Sequence, residues 1–189
     1  MATFKQRVDA EYEGRMLVKK SLNYQTLVIS QTNATDWGDA AYTLTTKQSG
    51  AIILFDKDEA TTVTLPAITT ARIGTTYTFI ETAVSINLRS VVTAYDDDII
   101  VGGLSIGFDG TESGSIDHIS KVVANAMVRV KLDGNLADGG GGVGSTFTLT
   151  AIGAGNTGSS GGDKTVWALT GHVVNQAADG DGTAFFATT

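Results

Sequence analysis

The chain has no cysteine, so disulfides and thiolate metal sites are excluded. It has a single proline in 189 residues, and its turns must therefore rely on Gly, Asn and Asp. Charge is scarce. Only 17% of residues are Asp, Glu, Lys or Arg, below the usual quarter. That argues against a chain held open by its own repulsion. It also describes a surface better suited to being partly covered, by a partner or by copies of itself. The net charge is −7 and the sequence pI 4.6, and no cluster of Lys and Arg gives the footprint of a nucleic-acid binder. No stretch approaches the roughly 20 apolar residues of a membrane span. The N-terminal region lacks the apolar run of an export signal. Synthesis in the cytoplasm, with no nucleic acid and no membrane as partner, is the expectation.

What charge there is lies unevenly. Lys5, Arg7, Arg15, Lys19 and Lys20 stand against Asp9, Glu11 and Glu13 in residues 1–20, a net +2, so the remainder of the chain carries −9. In the same segment Phe4, Val8, Tyr12 and Met16 recur at i+4, the spacing of one helix face, although Gly14 interrupts at a cost of about 1 kcal/mol. Residues 21–40 hold one short apolar run, Leu27-Val28-Ile29, and one tryptophan, Trp37. Residues 1–40 are therefore predicted to form an extended N-terminal arm, whose weakly basic first 20 residues dock on an acidic neighbour. Phe4, Val8, Tyr12, Met16, Leu27, Val28, Ile29 and Trp37 are its candidate contacts. An ordinary frayed terminus has the same composition.

From residue 41 the hydrophobic period becomes two. Strands are predicted at 42–45, 51–55, 62–65 (stopped by Pro66), 76–80, 85–89, 99–101 (ending at Gly102-Gly103), 126–132, 146–150, 165–169 and 183–186. In the strand at 126–132, Val130 and Leu132 share the face of Ala126 and Val128, opposite Arg129 and Lys131. The chain has 27 Thr, which suits pleated, half-buried surfaces, and 23 Gly, mostly between the runs. The expectation is an all-β chain, with residues 41–189 forming a β-sandwich or jelly-roll-like body. Ile119, Val122, Val123 and Ala126 also fit helical spacing, leaving room for a short helix there. No repeat of fixed period is present, which argues against a solenoid. The glycine-rich stretches 138–144 and 153–162 are predicted to be mobile loop tips.

Several strings imitate chemistry. Residues 153–158 spell G-x-G-x-x-G after a strand, but Ser159-Ser160-Gly161-Gly162 cannot open the helix on which a pyrophosphate would sit. Residues 139–146 have Walker-like glycine spacing, yet Ser145 stands where the phosphate-binding Lys is needed. His118 and His172 lack the spacing of a metal or catalytic pair, and no serine has a nucleophile-elbow context. Asp96-Asp97-Asp98 reads either as a solvated turn or as oxygen ligands for calcium, and Asp179-Gly180-Asp181-Gly182 has the same two readings. Thr-x-Thr occurs at 43–45, 62–64, 76–78 and 146–150, as expected for the wet face of alternating strands, without the fixed period of an ice- or crystal-binding array. No catalytic residue, metal ligand or cofactor site is assigned.

Thr62-Val63-Thr64-Leu65-Pro66, Gly74-Thr75-Thr76-Tyr77-Thr78-Phe79 and Asp97-Asp98-Ile99-Ile100-Val101-Gly102-Gly103 resemble virion structural proteins of tailed bacteriophages, nearest to small head-decoration and fibre-like proteins. Lys164-Thr165-Val166-Trp167-Ala168-Leu169-Thr170-Gly171 is similar to their closing strand. The likeness spans residues 51–173. Asn125-Ala126 departs from it, where those proteins usually carry Gly-Asp. The resemblance implies a decoration or cement protein on the outer capsid surface, often a homotrimer, bound to the major capsid protein and without enzymatic activity. A fibre adhesin that stacks Trp37, Trp167 or tyrosines on a host glycan is the other role it implies. Under the first role the arm clamps capsid subunits, and residues 26–30 add a strand to a capsid sheet.

Overall fold

Alternation of Thr with large apolar residues over 76–81 becomes alternation of exposure. Tyr77, Phe79 and Glu81 are buried, while Thr76, Thr78 and Ile80 are half-buried on the other side. The same rule builds most of the chain. The computed structural model describes residues 26–32, 37, 41–83, 87–95, 98–107, 119–121, 129–133, 141–154, 165–174 and 186–187. In chain order the strands are β1 (Val28–Ser30), β2 (Ala41–Thr43), β3 (Ala51–Phe55), β4 (Thr61–Thr64), β5 (Thr76–Glu81), β6 (Leu88–Val92), β7 (Ile99–Gly107), β8 (Ile119–Lys121), β9 (Arg129–Asp133), β10 (Thr146–Gly153), β11 (Val166–Val174) and β12 (Phe186–Ala187). They form an all-β fold of two sheets. The larger runs β1-β3-β5-β10-β11-β7-β8 and the smaller β12-β9-β6-β4-β2.

The first half of the chain is wound. From β1 to β7 each strand joins the sheet that its predecessor did not. Within each sheet the first three turns stack in parallel: β1 on β3 on β5, and β2 on β4 on β6. A short parallel coil of this kind departs from the sequence expectation against a solenoid, and the registers explain why. Val28 pairs with Ile52 and Ile52 with Thr78, steps of 24 and 26 residues. Tyr42 pairs with Val63 and Val63 with Val91, steps of 21 and 28. Unequal connections hide a repeat that the backbone nonetheless makes. The second half is mixed, with β10 antiparallel to both β5 and β11, and β11 parallel to β7.

The core lies between the sheets. Phe55, Phe79 and Phe147 stack in succession across β3, β5 and β10, with ring centroids 6.0 and 4.9 Å apart. Each fully buried side chain of this size contributes about 1.5–3 kcal/mol. Tyr77 crosses the core to donate its hydroxyl to the Thr45 carbonyl at 2.8 Å, which ties β5 to the turn after β2. Val130 and Leu132 face this core, and Arg129 and Lys131 point away from it, as the alternation predicted.

Three local expectations need correction. Ile119–Lys121 is a strand paired with β7, not the start of a helix. Gly102-Gly103 does not end β7, which continues to Gly107 beside β11. Backbone proximity is the reason for the glycine: a Cβ on Gly102, whose φ is +120°, would lie 2.1 Å from the Leu169 carbonyl oxygen. Finally, residues 141–145 are not a loose tip. Gly142 donates to the Val174 carbonyl at 2.9 Å, Gly144 to the Glu81 carbonyl at 3.0 Å, and the buried Ser145 hydroxyl accepts from Val174 N–H at 2.8 Å.

Candidate functional site

The predicted arm contacts divide three ways. Phe4, Val8, Tyr12 and Met16 lie outside the described residues. Leu27 and Val28 are 49% and 47% exposed, just before and at the start of β1, the edge strand of the larger sheet. Ile29 and Trp37 are core residues. Trp37 stacks on Tyr42 at 5.2 Å, meets Phe55 edge-on at 5.8 Å, and donates its indole N–H to Thr61 Oγ1 at 2.9 Å. Residues 28–32 and Trp37 therefore contribute to the body, and the division at residue 40 falls inside the folded unit. Period-two reading missed this because β1 is three residues long, too short to show alternation.

β1 is held by a polar clip as well as by its ladder. Asp56, just past β3, accepts from Ser30 Oγ at 2.5 Å, Thr32 Oγ1 at 2.7 Å and Thr32 N–H at 2.9 Å. Desolvation pushes the Asp56 pKa up, but these hydrogen bonds outweigh it and leave the carboxylate below its ordinary value. Parallel pairing turns the backbone of Leu27 and Gln31 toward β3, where the Leu27 carbonyl accepts from Ile52 and Gln31 N–H donates to Leu54. Among the described residues, no strand pairs with the other side of β1.

The strings that imitate chemistry are structural wherever they are described. Ser145 is the turn residue above. The carboxylate of Asp98 is buried and accepts Thr165 N–H at 2.9 Å, joining the starts of β7 and β11, so this residue is not part of a solvated turn. His172 Nδ1 lies 3.2 Å from Ser105 Oγ across β11 and β7. Trp167 is fully buried, and Trp37 nearly so, which removes both from sugar stacking. His118, Asp96, Asp97 and residues 155–160 and 179–182 lie outside the described residues. Among the described residues no three His, Asp or Glu side chains group to hold a metal, and no helix is long and apolar enough to cross a membrane.

The most extensive feature is the outer face of the larger sheet. One registered row reads Val28, Ile52, Thr78, Thr148, Thr170, Gly103 across six strands. The next reads Ser30, Leu54, Ile80, Thr146, His172, Ser105. On the other side of the first, Thr76, Thr150, Ala168 and Val101 align. None of these residues is Asp, Glu, Lys or Arg. The threonines do form a lateral ladder, but their hydroxyls pair off, Thr76 with Thr150 at 3.0 Å and Thr78 with Thr148 at 3.1 Å. Paired hydroxyls are not the evenly spaced array that a crystal lattice would match. On the edge strand β8 the first row continues to Lys121, which pairs with Gly103, and the outer face of the smaller sheet carries Arg129 and Lys131 on β9. Each strand shows its uncharged outward positions in the sequence, but only the strand order makes one surface of them.

Comparison with protein-family models, with curated proteins and with solved structures finds no match for this chain.

Proposed function

We propose that the chain is a virion structural protein, a decoration or cement protein on the outer head surface of a tailed phage. It is made in the host cytoplasm, assembles as a homotrimer and bridges units of the major capsid protein. In this role it needs no cofactor and catalyses nothing. The observation that best supports the reading is the pairing of a two-sheet body with a broad sheet face whose registered rows are uncharged from β1 to β7, a surface suited to assembly. The stretches that carry the phage-protein resemblance fall on β4, β5, β7 and β11. Three of these four lie in the sheet that bears this face.

The test is co-sedimentation of the purified protein with heads that lack it, with copies per particle counted by quantitative mass spectrometry. Decoration predicts hundreds of copies and a shell that resists disruption better when they are bound. A few copies per particle would instead favour a fibre adhesin, in which exposed Tyr95 is available to a glycan as the buried tryptophans are not. No binding to heads and no copies in particles would end both readings.

A further inference from the structure

We infer that the outer face of the larger sheet is buried between copies of this chain, two or three of which turn it toward a shared axis. The choice of occupant rests on charge and area. Each copy carries −7, so copies repel wherever their carboxylates approach. From β1 to β7 the three registered rows hold no charged residue; charge comes only at the margins, with Lys121 on β8 continuing the first row beside Gly103 and Asp56, past Leu54, bonded to Ser30. A basic or acidic partner would find nothing to pair with in the middle of this face, whereas a second copy meets like with like there: Ile52, Leu54 and Ile80 beside a run of Thr. Sheets with such faces pack at about 10 Å.

The area suffices. Strands about 4.8 Å apart make the face roughly 24 Å wide from β1 to β7, and strands of three residues at β1 to nine at β7 and β11 make it about 10–30 Å long. Each copy therefore offers about 500–600 Å², and two such faces bury about 1,000–1,200 Å², the lower end for a specific interface. Arg129 and Lys131 put two cations on β9 of the smaller sheet, against Lys121 on the edge strand β8 of the larger one, which favours the smaller sheet's outer face as the one left to solvent or to a different partner. The inference deepens the self-association part of the proposed function. Its test needs no capsid, so either idea can fail alone.

Sedimentation equilibrium of the full chain at 1–100 µM is expected to show dimers or trimers. Association should hold or tighten between about 0.05 and 0.5 M salt, because screening relieves repulsion. Thr148→Glu, at the centre of the face, should weaken association at least about 100-fold with an unchanged circular dichroism spectrum. The absence of cysteine supplies a second measurement should that variant misfold: nitroxide labels on Thr170→Cys and, separately, on Lys131→Cys. At about 10 Å per layer, labels on the buried face should lie within roughly 20 Å of those on the neighbouring copy, and labels on the outer face of the smaller sheet beyond about 30 Å. A monomer at 100 µM, association loosened by salt, or Lys131 labels closer together than Thr170 labels would each overturn the inference.

Discussion

Arg89 reaches across the sandwich from β6 to pair with Glu81 at the end of β5, and neither side chain touches solvent. The guanidinium also donates to the carbonyls of Ala83, at 3.3 Å, and Lys57, and lies over the Phe55 ring at 5.6 Å. Burial pushes its pKa down to about 10 while Asp58 and Asp56 pull it up, so it stays charged at neutral pH. Breaking such a pair leaves one charge buried alone, which costs about 3–5 kcal/mol, whereas replacing both partners by apolar residues can be nearly neutral. Arg89→Met should therefore destabilise the fold far more than Arg89→Met combined with Glu81→Leu. Urea unfolding of both variants checks this, and equal losses would show that the pair does not act as a unit.

Asp56 makes the β1 clip sensitive to acid. Its folded pKa lies below the ordinary value of 3.8, so the stabilisation is complete above 3.8 and is lost as pH falls through the lower, folded value. Asp56→Asn should destabilise by about 1 kcal/mol at pH 7, a modest figure because the site is only half-buried. The difference from the parent chain should shrink steadily below pH 4. A gap of constant size down to pH 2 would mean that the carboxylate charge plays no part in the clip.

Trp37 separates a core role from a surface one. Removing a buried tryptophan costs about 3–5 kcal/mol, so Trp37→Ala should lower the melting temperature sharply. Trp37→Phe keeps the packing and loses the bond to Thr61, for a loss of about 1–2 kcal/mol. An exposed anchor would leave stability untouched in both variants.

Where side-chain periodicity governs, the fold is legible in the order of the amino acids. Alternation places β5 and β10 within a few residues, a continuous apolar run places β3, and the inward set Tyr77, Phe79, Phe147 and Leu149 follows from the alternation. Alternation cannot report which strands become neighbours. The parallel coil stays hidden because its turns differ in length, and the uncharged face stays hidden because it needs β5, β10, β11 and β7 side by side. Gly102 and Ser145 mislead for a shared reason: each serves a close backbone contact in this fold, while the same residue types also end strands and line loops.

Gly102 and Gly50 test that reading of glycine. Both have positive φ, +120° and +87°, so alanine is strained at either. At Gly50 nothing lies within 4 Å of the added methyl, and Gly50→Ala should cost only about 1–2 kcal/mol. At Gly102 the methyl would collide with Leu169 backbone and force β7 away from β11. Gly102→Ala should therefore be several-fold more destabilising in thermal melts, with faster amide exchange along β11. Equal melting temperatures would mean that the β7–β11 contact is looser than its register indicates.

Two truncations separate the arm from the body. Residues 1–20 precede every described element, whereas a cut at residue 40 also removes β1, the Ser30 and Thr32 arms of the Asp56 clip, and Trp37. Deleting residues 1–20 should leave the unfolding free energy within about 0.5 kcal/mol of the parent. Deleting 1–40 should lose at least the cost of one large buried side chain, about 3–5 kcal/mol, and expose the Phe55 edge of the core. The shorter deletion also tests the proposed capsid clamp, through loss of head binding with the melting curve retained. Undiminished binding to heads would assign attachment to the folded body, and the uncharged sheet face would then have to be shared between the capsid and the other copies.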